Sequence, residues 1–516
     1  MDKNKGILNI SISIVFKLVL LIANILVRRF LIKYIGNEIN GLNSLYISVL
    51  DFLSVAELGV GSAITFCMYK PIVDGDNDKV SSLYRLFTKL YLIIGAIILV
   101  GGCAVMPALP YLAKDYQNVD ANLYLTFGLM LASVVLSYTF SSKTSLINAY
   151  KNNYITTTIS SGGLLLQCVL QIVVLILTGS FVWFLVCRII AVVLQWVVTE
   201  IITKFKYKDI VRNKQQVDAE TKKEVTKNVK AMFMHKIGSM LVNTADSIII
   251  STFIGIVVLG KYSNYTTIMS AMSGVLVLCF TPLTSVIGHM CVSEDKMQVT
   301  KYLNFFHTFN FILGMVFFLG YYAVIDNLIT LFFGTDLELA KSISLVITLN
   351  YFIQFMRQAT LLFRDATGTF YNDRWKPIVE GLLNIGLSIL FVFVFPEEYN
   401  VVGVIVATVI TNIFICHIVE PHVLYKYGLQ SSAKSYYIKN YIYLTLFAAS
   451  LIALHFAMIS SDNQWIELFA NGGISLAFSI VISVFVILCN KDFRYYMKGI
   501  LRRFTKRKKE PPINND

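Results

Sequence analysis

The sequence predicts an all-α integral membrane protein of about fourteen transmembrane helices, arranged as two pseudo-symmetric six-helix lobes around a central cavity with two further C-terminal helices. Three observations predict this fold. First, the chain of 516 residues is 56% hydrophobic and 15% charged, with a mean hydropathy of +0.66; soluble domains carry roughly 25% charged residues. Second, apolar runs of about 20 residues, each able to cross a hydrocarbon core of ~30 Å, centre near Leu20, Ser54, Gly95, Ala132, Leu165, Val192, Asn243, Gly274, Gly314, Tyr351, Ile385, Ala407, Ala449 and Ser479. Third, residues 17–46 and 236–265 carry one pattern twice, at a constant offset and without a gap.

The repeat defines the first element of each lobe. The offset (236 − 17 = 219) pairs Lys17 with Lys236, Asn24 with Asn243, Ile35-Gly36 with Ile254-Gly255, Gly41 with Gly260, Ser44 with Ser263 and Tyr46 with Tyr265. Each copy reads as a membrane helix hairpin, with a glycine-bounded turn and a lysine inside its first helix. Duplicated membrane halves are the architecture of transporters, with the substrate site between them. The remaining runs complete the partition. Helices 1 to 6 form a lobe over residues 1–203, a basic cytoplasmic linker covers 204–230, and helices 7 to 12 form a second lobe over 231–428. Helices 13 and 14 occupy 429–490, and a basic cytoplasmic tail covers 491–516.

Charge sets the expected topology. The net charge of +13 is spread over alternate connections and forms no single face, which argues against nucleic acid. Lys3 and Lys5 precede helix 1; Lys70, Lys79 and Arg85 follow helix 2; Lys151 follows helix 4. The stretch from Lys204 to Lys230, the residues Lys296 and Lys301, Arg374 and Lys376, and Lys426 to Lys439 continue the series into the tail. Intervening connections are short or acidic, with Asp336, Glu338, Glu397, Glu398 and Asp462. The positive-inside rule places both termini in the cytoplasm. Arg28, Arg29, Lys33, Lys114 and Lys261 are exceptions.

No chemistry-bearing motif is present. The eight cysteines are scattered through apolar segments with no C-x-x-C pair, so they read as small hydrophobes and not as a metal or redox site. The sequence holds no nucleotide-binding G-x-x-x-x-G-K-[ST] loop, no G-x-S-x-G elbow and no H-E-x-x-H pair. An enzyme is therefore not expected, and any transport is driven from elsewhere. The basic start runs straight into a full-length span without an A-x-A-like site, as in an uncleaved first helix.

Ionisable residues inside the spans are the candidate site. On helix 1, Lys17, Asn24 and Arg28 fall at i, i+7 and i+11, within ~20° of one line at about 100° per residue. Ser13 extends this rail, and Arg29 adjoins it. Helix 7 carries a second set in His235, Lys236, Asn243 and Asp246. Helix 2 contributes Asp51 and Glu57, and helix 10 contributes Arg357 and Arg364 at i, i+7. Intramembrane charges face a cavity or a partner more often than lipid. Two readings stay open for each: the cations bind an anionic substrate, for which arginine offers a planar fork to phosphate, or they pair with embedded carboxylates. Glu57, Asp246, His235, Lys236 and Asp51 are coupling or gating candidates, with structural pairing as the other reading.

Three segments resemble a known family. They are Glu57-Leu58-Gly59-Val60-Gly61-Ser62-Ala63 followed by Met68-Tyr69-Lys70-Pro71; Asn243-Thr244-Ala245-Asp246-Ser247-Ile248-Ile249-Ile250-Ser251 with Tyr262-Ser263-Asn264-Tyr265; and Phe363-Arg364-Asp365-Ala366-Thr367-Gly368 with Asn384 and Ser388. These are similar to the polysaccharide and O-antigen flippases of the multidrug/oligosaccharidyl-lipid/polysaccharide exporter superfamily. The resemblance implies flipping of an undecaprenyl-pyrophosphate-linked oligosaccharide from the cytoplasmic to the outer leaflet. It implies pyrophosphate contacts from Lys17, Arg28, Arg29, Arg357 and Arg364, no bound cofactor, and coupling to a Na⁺ or H⁺ gradient or to the membrane potential. Partners in that reading are membrane lipids, a polysaccharide polymerase and glycosyltransferases. A cation-coupled drug exporter of the same superfamily is the runner-up; it calls for an acid-dominated pocket. A peptidoglycan-precursor flippase shares the pyrophosphate cargo.

Overall fold

The computed structural model describes residues 3–54, 60–213, 244–280, 283–369 and 372–507, and these are almost wholly helical. The first half contains α1 (Lys3–Tyr34), α2 (Asn37–Leu53), α3 (Val60–Asp74), α4 (Asn77–Val105), α5 (Leu123–Ala149), α6 (Asn153–Thr178) and α7 (Phe181–Lys206). Then follow α8 (Thr244–Ile254), α9 (Ile256–Phe280), α10 (Leu283–Ser293), α11 (Lys296–Phe333), α12 (Lys341–Met356), α13 (Gln358–Ala366) and α14 (Lys376–Val394). The chain ends with α15 (Glu397–Leu429), α16 (Lys434–Ala457), α17 (Gln464–Cys489) and α18 (Lys491–Arg507). Among the described residues, nine helices are long and apolar enough to cross a membrane. The chain is a multi-pass membrane protein, as its composition predicts.

Local sequence sets the helix ends. Side chains at N-caps accept from the first free backbone donors: Asp76 Oδ1 from Lys79 N at 2.9 Å, Asn122 Oδ1 from Leu125 N at 3.0 Å and Asp295 Oδ1 from Gln298 N at 2.6 Å. The two hairpin turns end at Gly36 (φ 119°) and Gly255 (φ 146°), a conformation that favours glycine. These are the residues the repeat pairs. One expected span is not a single rod. The tenth is divided into α12 and α13 at Arg357.

The chain forms two compact units. One comprises Met1–Asn264 with Pro377–Phe393, the other Tyr265–Lys376 with Val394–Asp516. In the first, α1 packs on α6, and α5 packs on both α4 and α7. In the second, α11 lies against α17 and α12, and α12 against α15. Residues 214–230 of the expected linker lie outside the described residues, as do Glu57, His235 and Lys236.

Within the first unit the two copies of the repeat touch each other. A Cβ placed on Gly41 would lie 1.9 Å from the Ile256 carbonyl oxygen, and one on Gly260 would lie 2.5 Å from that of Asn37. Adding 219 to Gly41 and Asn37 gives Gly260 and Ile256, so these are one contact seen from both sides of a local two-fold. Bare backbone on both helices permits the approach. The paired tyrosines have matching tasks. Tyr46 donates to the Leu123 carbonyl at 3.0 Å, while Tyr265 donates to Asp326 at 2.8 Å and accepts from Leu339 N at 3.0 Å.

Candidate functional site

The helix 1 rail stands on a continuous helix, so Lys17, Asn24 and Arg28 share a face of α1. Lys17, Asn24 and Arg29 are exposed, and Arg28 is half-buried beside α9. Arg28 Nη1 donates to Ser263 Oγ at 2.8 Å and to Asn264 Oδ1 at 3.1 Å. Asn40, fully buried on α2, donates from Nδ2 to the same Asn264 Oδ1 at 3.1 Å and to the Gly260 carbonyl at 3.1 Å. The close glycine contact thus brings Asn40, Ser263 and Asn264 under the guanidinium. Both of its partners among the described residues are neutral. Among the described residues no carboxylate pairs with Arg28, and its Nε and Nη2 form no hydrogen bond. A guanidinium presents five donors in a fixed fork, so one edge is left for an anion.

In the second unit the arginines of helix 10 are placed differently. Arg357 grips Glu420 with Nε at 3.0 Å and Nη2 at 2.6 Å, and donates from Nη1 to Asn412 at 2.7 Å. Lys376 Nζ reaches the same carboxylate at 2.6 Å. Arg364 joins Asp373 at 2.8 Å and Asp365 at 3.0 Å. Three cations therefore meet three carboxylates. Glu420, Asp373, Lys376 and Arg364 are buried, and buried charges of this kind persist only when paired. Here the pairing alternative describes Arg357 and Arg364: an incoming phosphate would have to displace a carboxylate. The helix break at Arg357 and the π-helical turn at Asn412–Cys416 in α15 are the local departures that let Asn412 and Glu420 face this arginine.

Of the carboxylate candidates, Asp51 is exposed on α2 and feels the charge of Arg188 on α7, while Asp246 is buried on α8. The structure brings Arg28 together with residues of the second repeat copy, and Arg357 into one cluster with Lys376. Residues that the sequence reading passed over complete the picture. Glu420 sits in an otherwise apolar run, Arg188 and Lys143 lie within helices 6 and 4, and Lys143 pairs with Glu200. The signal for each was the one applied to helix 1: an ionisable residue within a span. A further buried group lies along α15, where Asn440 on α16 bridges His307 at 3.1 Å and His417 at 3.0 Å. No group of three or more His, Cys, Asp or Glu residues suited to a metal ion is present among the described residues.

Known structures share this fold. The chain is similar to the lipid II flippase MurJ in an inward closed conformation, with a TM-score of 0.60 and 14% identity over 94% of this chain and 99% of that one. It is also similar to an inward-facing multidrug resistance MATE family transporter of the MOP superfamily, with a TM-score of 0.56 and 11% identity over 78% and 96%. A mutant of the Vibrio cholerae MATE transporter VcmN gives a TM-score of 0.53 and 11% identity over 83% and 98%. At these identities the likeness establishes the fold alone. A scan against protein-family models found no match, and neither did a search of curated proteins.

Proposed function

We propose that this chain belongs to the polysaccharide flippases of the multidrug/oligosaccharidyl-lipid/polysaccharide exporter superfamily and moves undecaprenyl-pyrophosphate-linked oligosaccharide to the outer leaflet by alternating access. Arg28 carries the reading. It is an intramembrane guanidinium held by neutral side chains, with an open edge for phosphate oxygens, on the exposed face that also bears Lys17 and Asn24. The physics of the cargo agrees. A pyrophosphate and a string of hydroxyls cannot cross ~30 Å of hydrocarbon unaided, while a lipid tail stays in the bilayer if the halves part sideways. The lobes, residues 1–203 and 231–428, would rock about a midplane site. The likeness to a flippase and to MATE transporters supports a fold shared by flippases and exporters. It equally admits a peptidoglycan precursor as cargo.

The MATE likeness supports a second reading, a cation-coupled exporter of small drugs. One experiment separates them. The purified protein should be thermally stabilised by undecaprenyl pyrophosphate lipids, less by the neutral polyprenol, and the shift should shrink as salt shortens the Debye length from ~30 Å at 0.01 M to ~3 Å at 1 M. Cells expressing it should gain no resistance to ethidium-like dyes. Dye expulsion without any shift from the pyrophosphate lipid would replace the flippase with the exporter.

A further inference from the structure

A second polar feature of the first unit is built from other residues. Between α4, α5, α6 and α7 lies a cavity of about 390 Å³ whose wall includes Tyr91, Ser141, Thr144, Ser160, Gln195 and Thr199. That volume falls among small-molecule sites, which run from ~300 to 1,000 Å³. Serine and threonine in membrane helices commonly serve only to let backbones approach. These border open space instead.

The hydrogen-bond inventory defines what the wall offers. Ser141 Oγ donates to the Ser137 carbonyl at 2.9 Å, Thr144 Oγ1 to Phe140 at 3.4 Å, Ser160 Oγ to Thr157 at 3.2 Å and Thr199 Oγ1 to Gln195 at 2.7 Å. Each hydroxyl proton is thus engaged by its own helix, and the oxygen lone pairs are left to accept. Gln195 adds a side-chain amide that makes no hydrogen bond among the described residues. Its position depends on a glycine, since a Cβ on Gly163 would lie 2.4 Å from Gln195 Cγ. The wall itself carries no charge. Glu200, next in sequence to Thr199, is already paired with Lys143 and Lys204. Among the described residues an anion finds no cation in the wall, and a cation finds no unpaired carboxylate. What fits is a neutral molecule rich in hydroxyl donors, with C–H faces for the rings of Tyr91 and Phe140.

We propose that this cavity is a glycan subsite, taking neutral sugar rings of the lipid-linked oligosaccharide, an inference that rests on the flippase reading above. The test uses the full chain in nanodiscs and, as probe, the water-soluble glycan released by mild acid from the lipid-linked pool of the cells that make it. Saturation-transfer NMR should show glycan binding to the parent protein. Binding should weaken at least tenfold in Ser160→Trp, which fills the exposed rim, and in the Ser141→Ala/Thr144→Val pair, which removes acceptors with little change of shape. Thermal stabilisation by undecaprenyl pyrophosphate without sugar should persist in both variants and shows that they are folded. Absent glycan binding, or binding unchanged in both variants, with the bare pyrophosphate lipid still stabilising, overturns the subsite and leaves the flippase standing. Failure of the bare lipid to stabilise the parent protein overturns the flippase reading and the subsite with it.

Discussion

Arg28 and Arg357 both fall in stretches the sequence reads as spans, yet their surroundings differ: neutral oxygens for one, a buried carboxylate for the other. Arg28 touches two neutral oxygens, so Arg28→Ala should abolish export while membrane levels stay near normal, and Arg28→Lys should recover only part, because a fork becomes a point charge. Full export by the alanine variant would reduce Arg28 to a structural role. Glu420 is the test of the other kind. Its carboxylate faces Arg357 and Lys376 together, and removing one partner of a buried pair leaves uncompensated charge at a cost of about 3–5 kcal/mol. Glu420→Ala should therefore lower the unfolding temperature far more than Arg28→Ala does. The helix 1 rail was legible because i, i+7 and i+11 share a face on any straight helix. The partners of Arg357 were not, since Glu420 is 63 residues away and only tertiary packing brings it near. Its visible trace was a single carboxylate in an apolar run.

At the scale of the element, the hairpin was the most legible part of the chain. Gly36 and Gly255 take positive φ, a backbone demand that a sequence can meet only with particular residues, so the pair stands out at a constant offset. The repeat pairs Gly41 with Gly260 by offset alone, and that they meet each other was not legible, because spacing along one helix says nothing about its partner. Their contact makes a graded prediction. Gly41→Ala and Gly260→Ala should each destabilise by about 1–3 kcal/mol through overpacking, whereas Gly162→Ala, where nothing lies within 4 Å of the added carbon, should be close to neutral. Thermal unfolding of the three purified variants checks this, and equal midpoints would show that the backbones have room to part. The division of the tenth span at Arg357 escaped the hydropathy reading for a related reason: mean hydropathy reports burial in lipid and is blind to a break in the helix ladder.

For the whole molecule, alternation of basic and acidic connections is the only feature of the sequence that assigns sides of the membrane, and the helices themselves are indifferent to inversion. Lys204 to Lys230 and the tail from Lys491 onward hold the densest positive charge, and translocating such segments opposes both the membrane potential and their attraction to anionic headgroups. The connection after α11 holds Asp336 and Glu338 instead, and the start of α15 holds Glu397 and Glu398. If charge sets orientation, single cysteines introduced at Gly334 and Pro396 in a background without the native eight should react with an impermeant external thiol reagent in intact cells. Cysteines at Gln215 and Lys506 should react only after permeabilisation. The spacing of the four positions makes the test sensitive to helix count as well as to direction: an odd number of crossings between Gln215 and Gly334, or between Pro396 and Lys506, is required for the two patterns to differ. Labelling with the sides reversed would place both basic segments outside, and with them the end of α1 that carries Arg28 would face the cytoplasm.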